Sequence, residues 1–313
     1  MPDYLITGGA GFIGSNIAEH LVRNGKSVRI LDNFLTGKRD NLAVLAGKAE
    51  LIEGDLRNHG DCRRAVTGVR YILHLAALPS VPRSVADPSL SHDINVTGTL
   101  NLLIAARDAR CQRLVFSSSS SVYGDTPTLP KHEGMMPEPL SPYAVHKLTG
   151  EHYCRIFYSL YGLETVSLRY FNVFGPRQDP KSEYAAVIPR FITAILRDQQ
   201  PTIFGDGTQT RDFTYVENII EANLAATVAP KPALGEAINV ACGDRISLLD
   251  LVATINQSLG KNIKPELEAP RAGDVKHSQA ANTKARELLS WTPRITFAEG
   301  IAKTIAWYQK QAA

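Results

Sequence analysis

The stretch at residues 4–23, YLITGGAGFIGSNIAEHLVR, decides the fold. It predicts a short apolar strand, then a glycine-rich turn, then a helix whose apolar residues recur three and four positions apart. Gly8 permits the tight turn, Gly11 lets the backbone approach a pyrophosphate, and Gly14 lets the helix pack closely. The free N–H groups at the helix start face the anion. The succession predicts a dinucleotide-binding loop, spaced GxxGxxG in place of GxGxxG.

A carboxylate follows this loop at the separation expected for a contact with the adenosine ribose. Asp32 ends the second predicted strand; its carboxylate would accept from the ribose hydroxyls and repel a 2′-phosphate, which favours NAD over NADP. Asp32 could equally cap the next loop. Asn33 is its neighbour, and Asp55 and Leu56 follow the third predicted strand, where adenine would lie.

Short β-branched runs alternate with helical stretches through the first half of the chain. Such alternation is typical of a parallel sheet with helices on both faces. Ser141 as N-cap and Pro142 in the first turn predict a long helix over Pro142–Leu160, ending near Gly162. We therefore expect an α/β protein with a Rossmann-type doubly wound parallel sheet. The predicted strands are Tyr4–Thr7, Ser27–Leu31, Ala49–Glu53, Tyr71–Leu75, Arg113–Ser117 and Thr165–Arg169.

The regularity breaks down after Phe174. Helices are predicted at Val187–Leu196 and Ser247–Leu259, and short strands at Pro201–Phe204 and Ala237–Val240. We expect a dinucleotide-binding domain at residues 1–172 and a smaller C-terminal α/β substrate domain at residues 173–313. The boundary is soft, because some strands of the second half are expected to return to the first sheet.

Composition excludes several classes of protein. The 313 residues carry 34 Lys and Arg against 31 Asp and Glu, a formal charge of +3, which is too even for a nucleic-acid or anionic-membrane footprint. No run approaches the roughly 18 apolar residues of a membrane span, and no leader-like segment precedes the first strand. The four cysteines match neither a disulfide framework nor a zinc spacing. We expect a cytoplasmic protein without a metal site.

A tyrosine and a lysine on the predicted long helix are candidates for catalysis. Tyr143 and Lys147 stand four residues apart, so both lie on one helix face. An ammonium beside a phenol favours the phenolate, which suits the tyrosine to act as a general base. Such pairs are also common on helix surfaces. The serines at 117–121, which end a strand where an open α/β sheet presents its ligands, make catalysis the better interpretation.

Motifs along nearly the whole chain resemble those of the extended short-chain dehydrogenases/reductases, in the NAD-dependent epimerase/dehydratase family. In chain order they are Thr7–Gly14, Ser119–Gly124, Ser141–Lys147, Leu168–Pro176, Gly205–Gly207 and Thr210–Phe213. Three further runs, Gln178–Pro180, Tyr184–Pro189 and Gly273–Ser278, resemble UDP-hexose 4-epimerases, above all those acting on UDP-N-acetylglucosamine. The resemblance implies interconversion of UDP-GlcNAc and UDP-GalNAc, with UDP-Glc and UDP-Gal as further substrates, through a 4-keto intermediate and bound NAD.

The resemblance also assigns site residues. Ser119, Tyr143 and Lys147 are catalytic: Tyr143 is the base, Lys147 activates it, and Ser119 binds the reacting hydroxyl. The predicted cofactor-binding residues are Gly8, Gly11, Phe12, Ile13, Asp32, Asn33, Asp55, Leu56, Leu75, Ala76, Ala77, Asn95, Ser117, Tyr143, Lys147 and Tyr170. The predicted substrate-binding residues are Ser80, Ser119, Ser120, Ser121, Tyr143, Asn172, Gln178, Ala186, Val187, Arg211, Arg271, Asp274 and Ser278.

Within the substrate set, the resemblance implies distinct roles. Asn172 meets the phosphates, Arg211 and Arg271 clamp the pyrophosphate with delocalised donors, and Asp274 binds the uridine ribose. Ser278 stands where a small residue leaves room for an N-acetyl group; alternatively it is an ordinary loop hydroxyl.

Three alternatives remain open. A nucleotide-sugar dehydratase would need an acidic residue where Ser120 and Ser121 stand. UDP-uronate 4-epimerases and decarboxylases share the fold and the Tyr/Lys pair but fit less well after Phe174. A catalytically silent NAD-binding regulator would not need Ser119, Tyr143 and Lys147 together.

Similar enzymes pair the helix of Tyr143 with the stretch 96–106 across a two-fold axis, which predicts a homodimer, although both faces could pack within one chain.

Overall fold

The computed structural model describes residues 2–180, 186–270 and 276–312. Two predicted substrate residues, Arg271 and Asp274, lie outside the described residues. The described residues form thirteen strands: β1 (Tyr4–Thr7), β2 (Val28–Asp32), β3 (Glu50–Glu53), β4 (Tyr71–His74), β5 (Arg113–Ser119), β6 (Glu164–Tyr170), β7 (Val173–Phe174), β8 (Thr202–Phe204), β9 (Thr210–Arg211), β10 (Thr214–Tyr215), β11 (Ala237–Val240), β12 (Ile246–Ser247) and β13 (Glu266–Glu268).

Eleven α-helices lie between and after these strands in the described part of the chain. They are α1 (Phe12–Arg23), α2 (His59–Val66), α3 (Val81–Ala86), α4 (Pro88–His92), α5 (Gly98–Asp108), α6 (Pro142–Tyr161), α7 (Val187–Leu196), α8 (Val216–Thr227), α9 (Leu248–Leu259), α10 (Thr283–Leu289) and α11 (Phe297–Ala312). A π-helical turn at Asp93–Thr97 joins α4 to α5, and 3₁₀ segments lie at Arg39–Leu45, Ser120–Tyr123 and Lys231–Ala233.

Seven strands form one parallel sheet in the order β11-β6-β5-β4-β1-β2-β3. Successive side chains point to opposite faces, so Leu5 belongs to the core beneath α2, α5 and α6, while Ile6 belongs to the core beneath α1 and α8. Two apolar cores on two faces confirm the predicted doubly wound α/β class. The strand order reverses between β1 and β4, and a crevice opens at the carboxyl ends of strands at such a switch point.

Local sequence determines both ends of α6. Ser141 Oγ accepts a hydrogen bond from the Ala144 N–H at 3.2 Å, and Pro142 occupies the first turn. At the other end Gly162 has φ +72°, a left-handed conformation that glycine adopts at little cost. The helix ends at Tyr161, one residue beyond the prediction.

The second half of the chain builds a third core. Ile192 of α7, Ile255 of α9 and Ile301 of α11 are fully buried against one another's helices. Three two-stranded sheets, β7 with β10, β9 with β12 and β8 with β13, accompany these helices. The predicted helices over Val187–Leu196 and Ser247–Leu259 correspond to α7 and α9, whereas α11 was not predicted.

The chain also returns to the large sheet. In β11, Ala237 lies opposite Ser167 and Val240 lies opposite Tyr170 of β6, in parallel register. α8 contributes to the same core as α1. The division at residue 172 stays a prediction, and β11 is a strand of the second half that completes the sheet of the first.

The described ranges contain neither a membrane-spanning helix nor a cluster of metal ligands. No helix there combines the length and the apolar character that crossing a bilayer requires. Within the same ranges, no three His, Cys, Asp or Glu side chains gather as ligands of one ion would. Cys62, Cys111 and Cys154 are buried free thiols, and burial raises the pKa of Cys62 to about 12, so these cysteines pack as small apolar side chains.

Candidate active site

The glycine-rich turn leaves no room for side chains. Gly8 has φ +70°, and a Cβ there would stand 2.8 Å from the backbone of Ala76 at the end of β4. A Cβ on Gly14 would stand 2.3 Å from the Gly8 carbonyl oxygen. Gly11 is the N-cap of α1 and has no side chain to bond the first-turn N–H groups. An anion can therefore approach the positive end of this helix directly.

Asp32 is hydrogen-bonded to the turn and also lines the crevice. Its Oδ2 accepts from the Ala10 N–H at 2.8 Å and its Oδ1 accepts from the Phe34 N–H at 2.8 Å. Burial raises the pKa of this carboxyl, and the two N–H donors act in the opposite direction. Asp32 therefore does cap the loop, the role that the sequence left open. Each carboxylate oxygen still has a lone pair that can accept from a ribose hydroxyl.

A polar pair lies on the crevice wall, at the position where the sequence analysis expects adenine. Asn33 Nδ2 donates to Asp55 Oδ2 at 2.8 Å, and Arg57 donates to both oxygens of the same carboxylate. The Arg57 guanidinium lowers the pKa of Asp55 to about 2, so Asp55 stays ionised across the physiological range.

These residues line one cavity of about 720 Å³ at the carboxyl ends of the strands. Fifteen of the predicted cofactor residues share its wall: Gly8, Gly11, Phe12, Ile13, Asp32, Asn33, Asp55, Leu56, Leu75, Ala76, Ala77, Ser117, Tyr143, Lys147 and Tyr170. Asn95 is placed differently. It is buried in the π-helical turn, where its amide pairs with the N–H and the carbonyl of Leu78 and so supports the loop leading to Ser80.

The three predicted catalytic residues converge on this cavity. Tyr143 and Ser119 both line it, and the Ser119 hydroxyl acts on the Tyr143 phenol. Lys147 Nζ lies 5.7 Å from the centroid of the Tyr143 ring and donates to the Ser117 carbonyl at 2.7 Å. Burial raises the pKa of Tyr143 to about 12 and lowers that of Lys147 to about 8; Ser119 counteracts the first shift and the Glu151 carboxylate the second. The geometry places a phenol, a hydroxyl and an ammonium on one wall, an arrangement that suits proton transfer.

A buried ion pair that the sequence did not reveal lies behind these groups. Glu151, one turn beyond Lys147 on α6, accepts from Arg169 of β6 at 2.9 and 2.7 Å. The hydroxyl of Ser118 donates to the same carboxylate. Glu151 therefore ties the helix of the catalytic pair to both β5 and β6. The spacing of four residues from Lys147 placed Glu151 on the same face, but its partners depend on tertiary packing.

A second cavity of about 280 Å³ opens beside the first. The predicted substrate residues Asn172, Gln178, Ala186, Val187 and Arg211 line it. Asn172 and Val173 belong to both cavity walls, so the two spaces adjoin. Asn172 has φ +31°, a left-handed conformation that asparagine tolerates better than most residues.

The remaining predicted substrate residues are divided between the cavity and its supports. Ser80, Ser119 and Ser120 line the larger cavity. The Ser121 N–H donates to Ser119 Oγ at 3.2 Å, which fixes the serine turn. Ser278 Oγ accepts from Asn172 Nδ2 at 3.3 Å and so contacts the wall of the smaller cavity indirectly.

The residues present fit NAD. The glycines let the turn pack directly against the backbone after β4, the first turn of α1 offers N–H groups that no side chain caps, and Asp32 offers acceptors for the ribose. Fold and site together define an NAD-dependent enzyme. The model of the NAD-dependent epimerase/dehydratase family matches residues 4–241. The chain belongs to this family, which confirms the predicted resemblance and the predicted cofactor.

Individual relatives cover the chain almost from end to end. The UDP-glucose 4-epimerase of Mycolicibacterium smegmatis is 38% identical over 317 residues, 98% of this chain and 99% of that protein. The structure of UDP-N-acetylglucosamine 4-epimerase from Methanobrevibacter ruminantium with UDP-N-acetylmuramic acid is similar at a TM-score of 0.94, with 40% identity and 99% of each chain covered. UDP-glucuronic acid 4-epimerase from Bacillus cereus, with UDP-glucuronic acid and NAD, has a TM-score of 0.90 and 32% identity, covering 98% of this chain and 99% of that one.

Proposed function

We propose that this protein is a UDP-hexose 4-epimerase, an isomerase that interconverts UDP-GlcNAc and UDP-GalNAc and also accepts UDP-Glc and UDP-Gal. One observation carries the proposal: the two cavities adjoin at Asn172. Tyr143, Lys147 and Ser119 lie on the wall of the larger cavity. A nucleotide held in the smaller cavity would place its sugar against the catalytic hydroxyls.

The mechanism uses the phenol of Tyr143 in both directions. Asn172 and Arg211 hold the phosphates, while Ser119 donates to the oxygen at C4. Tyr143 accepts the proton of the 4-hydroxyl, and the adjacent Lys147 ammonium stabilises the developing phenolate. NAD, when bound, would supply the hydride acceptor for the oxidation at C4 and the hydride donor for the reduction that follows. The keto sugar rotates and presents its other face before it is reduced, so Tyr143 gives the proton back to the oxygen of a C4 centre that now has the inverted configuration.

Small side chains support turnover of acetylated sugars. The keto sugar must rotate inside its site, and an N-acetyl group increases the volume swept. Ser80 stands in the larger cavity and Ala186 in the smaller, and Ser278 borders the latter through Asn172. None of these side chains is larger than a hydroxymethyl group.

The test is to incubate the purified protein with each UDP-hexose and separate the products by configuration at C4. We expect both acetylated sugars to reach an epimeric mixture without added reductant or oxidant. Turnover confined to the plain hexoses would contradict the acetylated preference, and epimerisation of no UDP-hexose would contradict the proposed activity.

A UDP-uronate 4-epimerase is the second candidate, because Arg83 lines the larger cavity beside Ser80, where a cation could meet a sugar carboxylate. UDP-glucuronic acid in the same panel separates the two proposals. Epimerisation of the uronate at a higher kcat/KM than the acetylated sugars would favour this second activity.

We also propose that two copies pair through α6. Val145, Ile156 and Leu160 lie on one face of this helix and are 46%, 44% and 70% exposed. This stripe would be buried if α5 and α6 of one copy packed against the same two helices of a second copy across a two-fold axis. Leu160→Lys should convert a dimer into a monomer in light scattering after gel filtration, with Arg155→Lys on the same helix as a control. A monomeric unsubstituted protein would contradict the pairing.

A further inference from the structure

Asp212 is a fully buried carboxylate that none of the predicted functional roles includes. It stands between β9 and β10, directly after Arg211, and is 0% exposed. The sequence showed it as part of the motif Thr210–Phe213, without a task. Burial of an ionised group is costly unless its lone pairs are satisfied, so a carboxylate at this position requires an explanation.

Backbone N–H groups from two other chain segments satisfy this carboxylate. Oδ1 accepts from Cys242 at 3.0 Å and from Gly243 at 3.2 Å, just beyond the end of β11. Oδ2 accepts from Gly243 at 3.0 Å and from Ala280 at 3.0 Å. One side chain therefore joins the β9–β10 segment to the residues after β11 and to the segment that begins at residue 276.

The main chain of Asp212 connects to the predicted substrate residues. Its N–H donates to Ser278 Oγ at 3.3 Å, and its carbonyl accepts from Asn172 Nδ2 at 3.1 Å. Asn172 Nδ2 also donates to Ser278 Oγ at 3.3 Å. Asn172, Ser278 and the adjacent Arg211 thus take their relative positions from one residue that does not line either cavity.

We propose that Asp212 is a positioning residue of the nucleotide-sugar site, which sets Arg211, Asn172 and Ser278 in the arrangement that binds the nucleotide. The inference rests on the proposed function, since it takes the smaller cavity as the UDP site. Asp212 contributes to ground-state binding and leaves the proton transfer at Tyr143 unchanged. The catalytic groups lie on β5 and α6, where Lys147 donates to the Ser117 carbonyl and Arg169 donates to Glu151, and neither contact involves Asp212.

The decisive substitution is Asp212→Asn, measured by titration calorimetry with UDP alone. An asparagine keeps the shape of the side chain, but its NH₂ group faces a backbone N–H that then has no acceptor. We expect UDP affinity to fall by roughly tenfold to a hundredfold. KM should rise to a similar extent, while kcat and the content of bound NAD remain those of the unsubstituted protein.

Asp244→Asn is the matched control, because it makes the same chemical change at an exposed carboxyl nearby and should leave UDP affinity unchanged. A role limited to stability would lower the melting temperature of Asp212→Asn and leave UDP affinity at 25 °C intact, which would overturn the inference. If Asp212→Asn does not fold, Gly243→Ala decides. Its φ of +85° strains an alanine and displaces one of the N–H donors, so unchanged UDP affinity there would also overturn it. Absence of UDP binding by the unsubstituted protein would instead refute the proposed function.

Discussion

Tyr143 carries the only proton transfer that the proposed reaction assigns to a side chain. Ser119 lines the same cavity, and Lys147 lies beside the Tyr143 ring. Tyr143→Phe removes the oxygen and preserves the ring, so we expect turnover to fall by roughly 100-fold or more, while UDP affinity and the circular dichroism spectrum stay unchanged. Initial rates with the preferred UDP-sugar measure the loss. Near-normal rates would exclude Tyr143 as the base.

Lys147 has the opposite effect on stability from its effect on catalysis. Burial lowers its pKa from 10.5 to about 8, so the folded protein binds this proton less tightly than the unfolded chain. The cost is fully present below pH 8 and disappears as pH rises from about 8 to 10.5. Lys147→Met should therefore raise the free energy of unfolding at pH 7 by up to about 3 kcal/mol, and by little at pH 10.5. Urea unfolding at both pH values measures this, and an equal gain at both would contradict it.

At the scale of elements, the Glu151–Arg169 pair joins α6 to β6 inside the protein. Both side chains are buried, at 7% and 5% exposure. Glu151→Gln leaves the Arg169 charge without its counterion and should cost about 3 to 5 kcal/mol. The double variant Glu151→Leu, Arg169→Leu removes both charges and should cost less than the single one. Denaturant unfolding of the unsubstituted protein and both variants tests this, and a larger loss in the double variant than in Glu151→Gln would contradict it.

Elements with local signals could be predicted, and elements without them could not. The strands of the first half and α6 could be predicted because their signals are local in sequence: alternating strand-like and helical stretches, capping residues and glycines. α11 was missed although Thr296 and Glu299 form a capping box, which the sequence TFAE announces. The π-helical turn that carries Asn95 and the bonds of Asp212 had no local signal, because their partners come from distant segments.

At the scale of the whole molecule, contacts between the two halves enclose the cofactor crevice. Lys38 pairs with Asp179 at 2.6 Å, Arg177 pairs with Glu19, and Asn16 donates to the Pro176 carbonyl at 3.0 Å. We expect NAD to copurify with the protein and to serve every cycle, because hydride returns to the sugar each time. Spectra recorded during turnover should show no stoichiometric accumulation of reduced nicotinamide. Such accumulation would indicate a dehydrogenase.

The late position of β11 has a consequence for biosynthesis. This strand completes the sheet at β6, yet residues 237–240 leave the ribosome only after about three quarters of the chain has been made. Until then the nascent protein exposes one long edge of β6 with unpaired N–H and carbonyl groups, which other chains can join. Slow translation between residues 170 and 240 would prolong that exposure. Chaperone demand during synthesis therefore depends on the rate at which this segment is translated, even though the finished protein covers the edge.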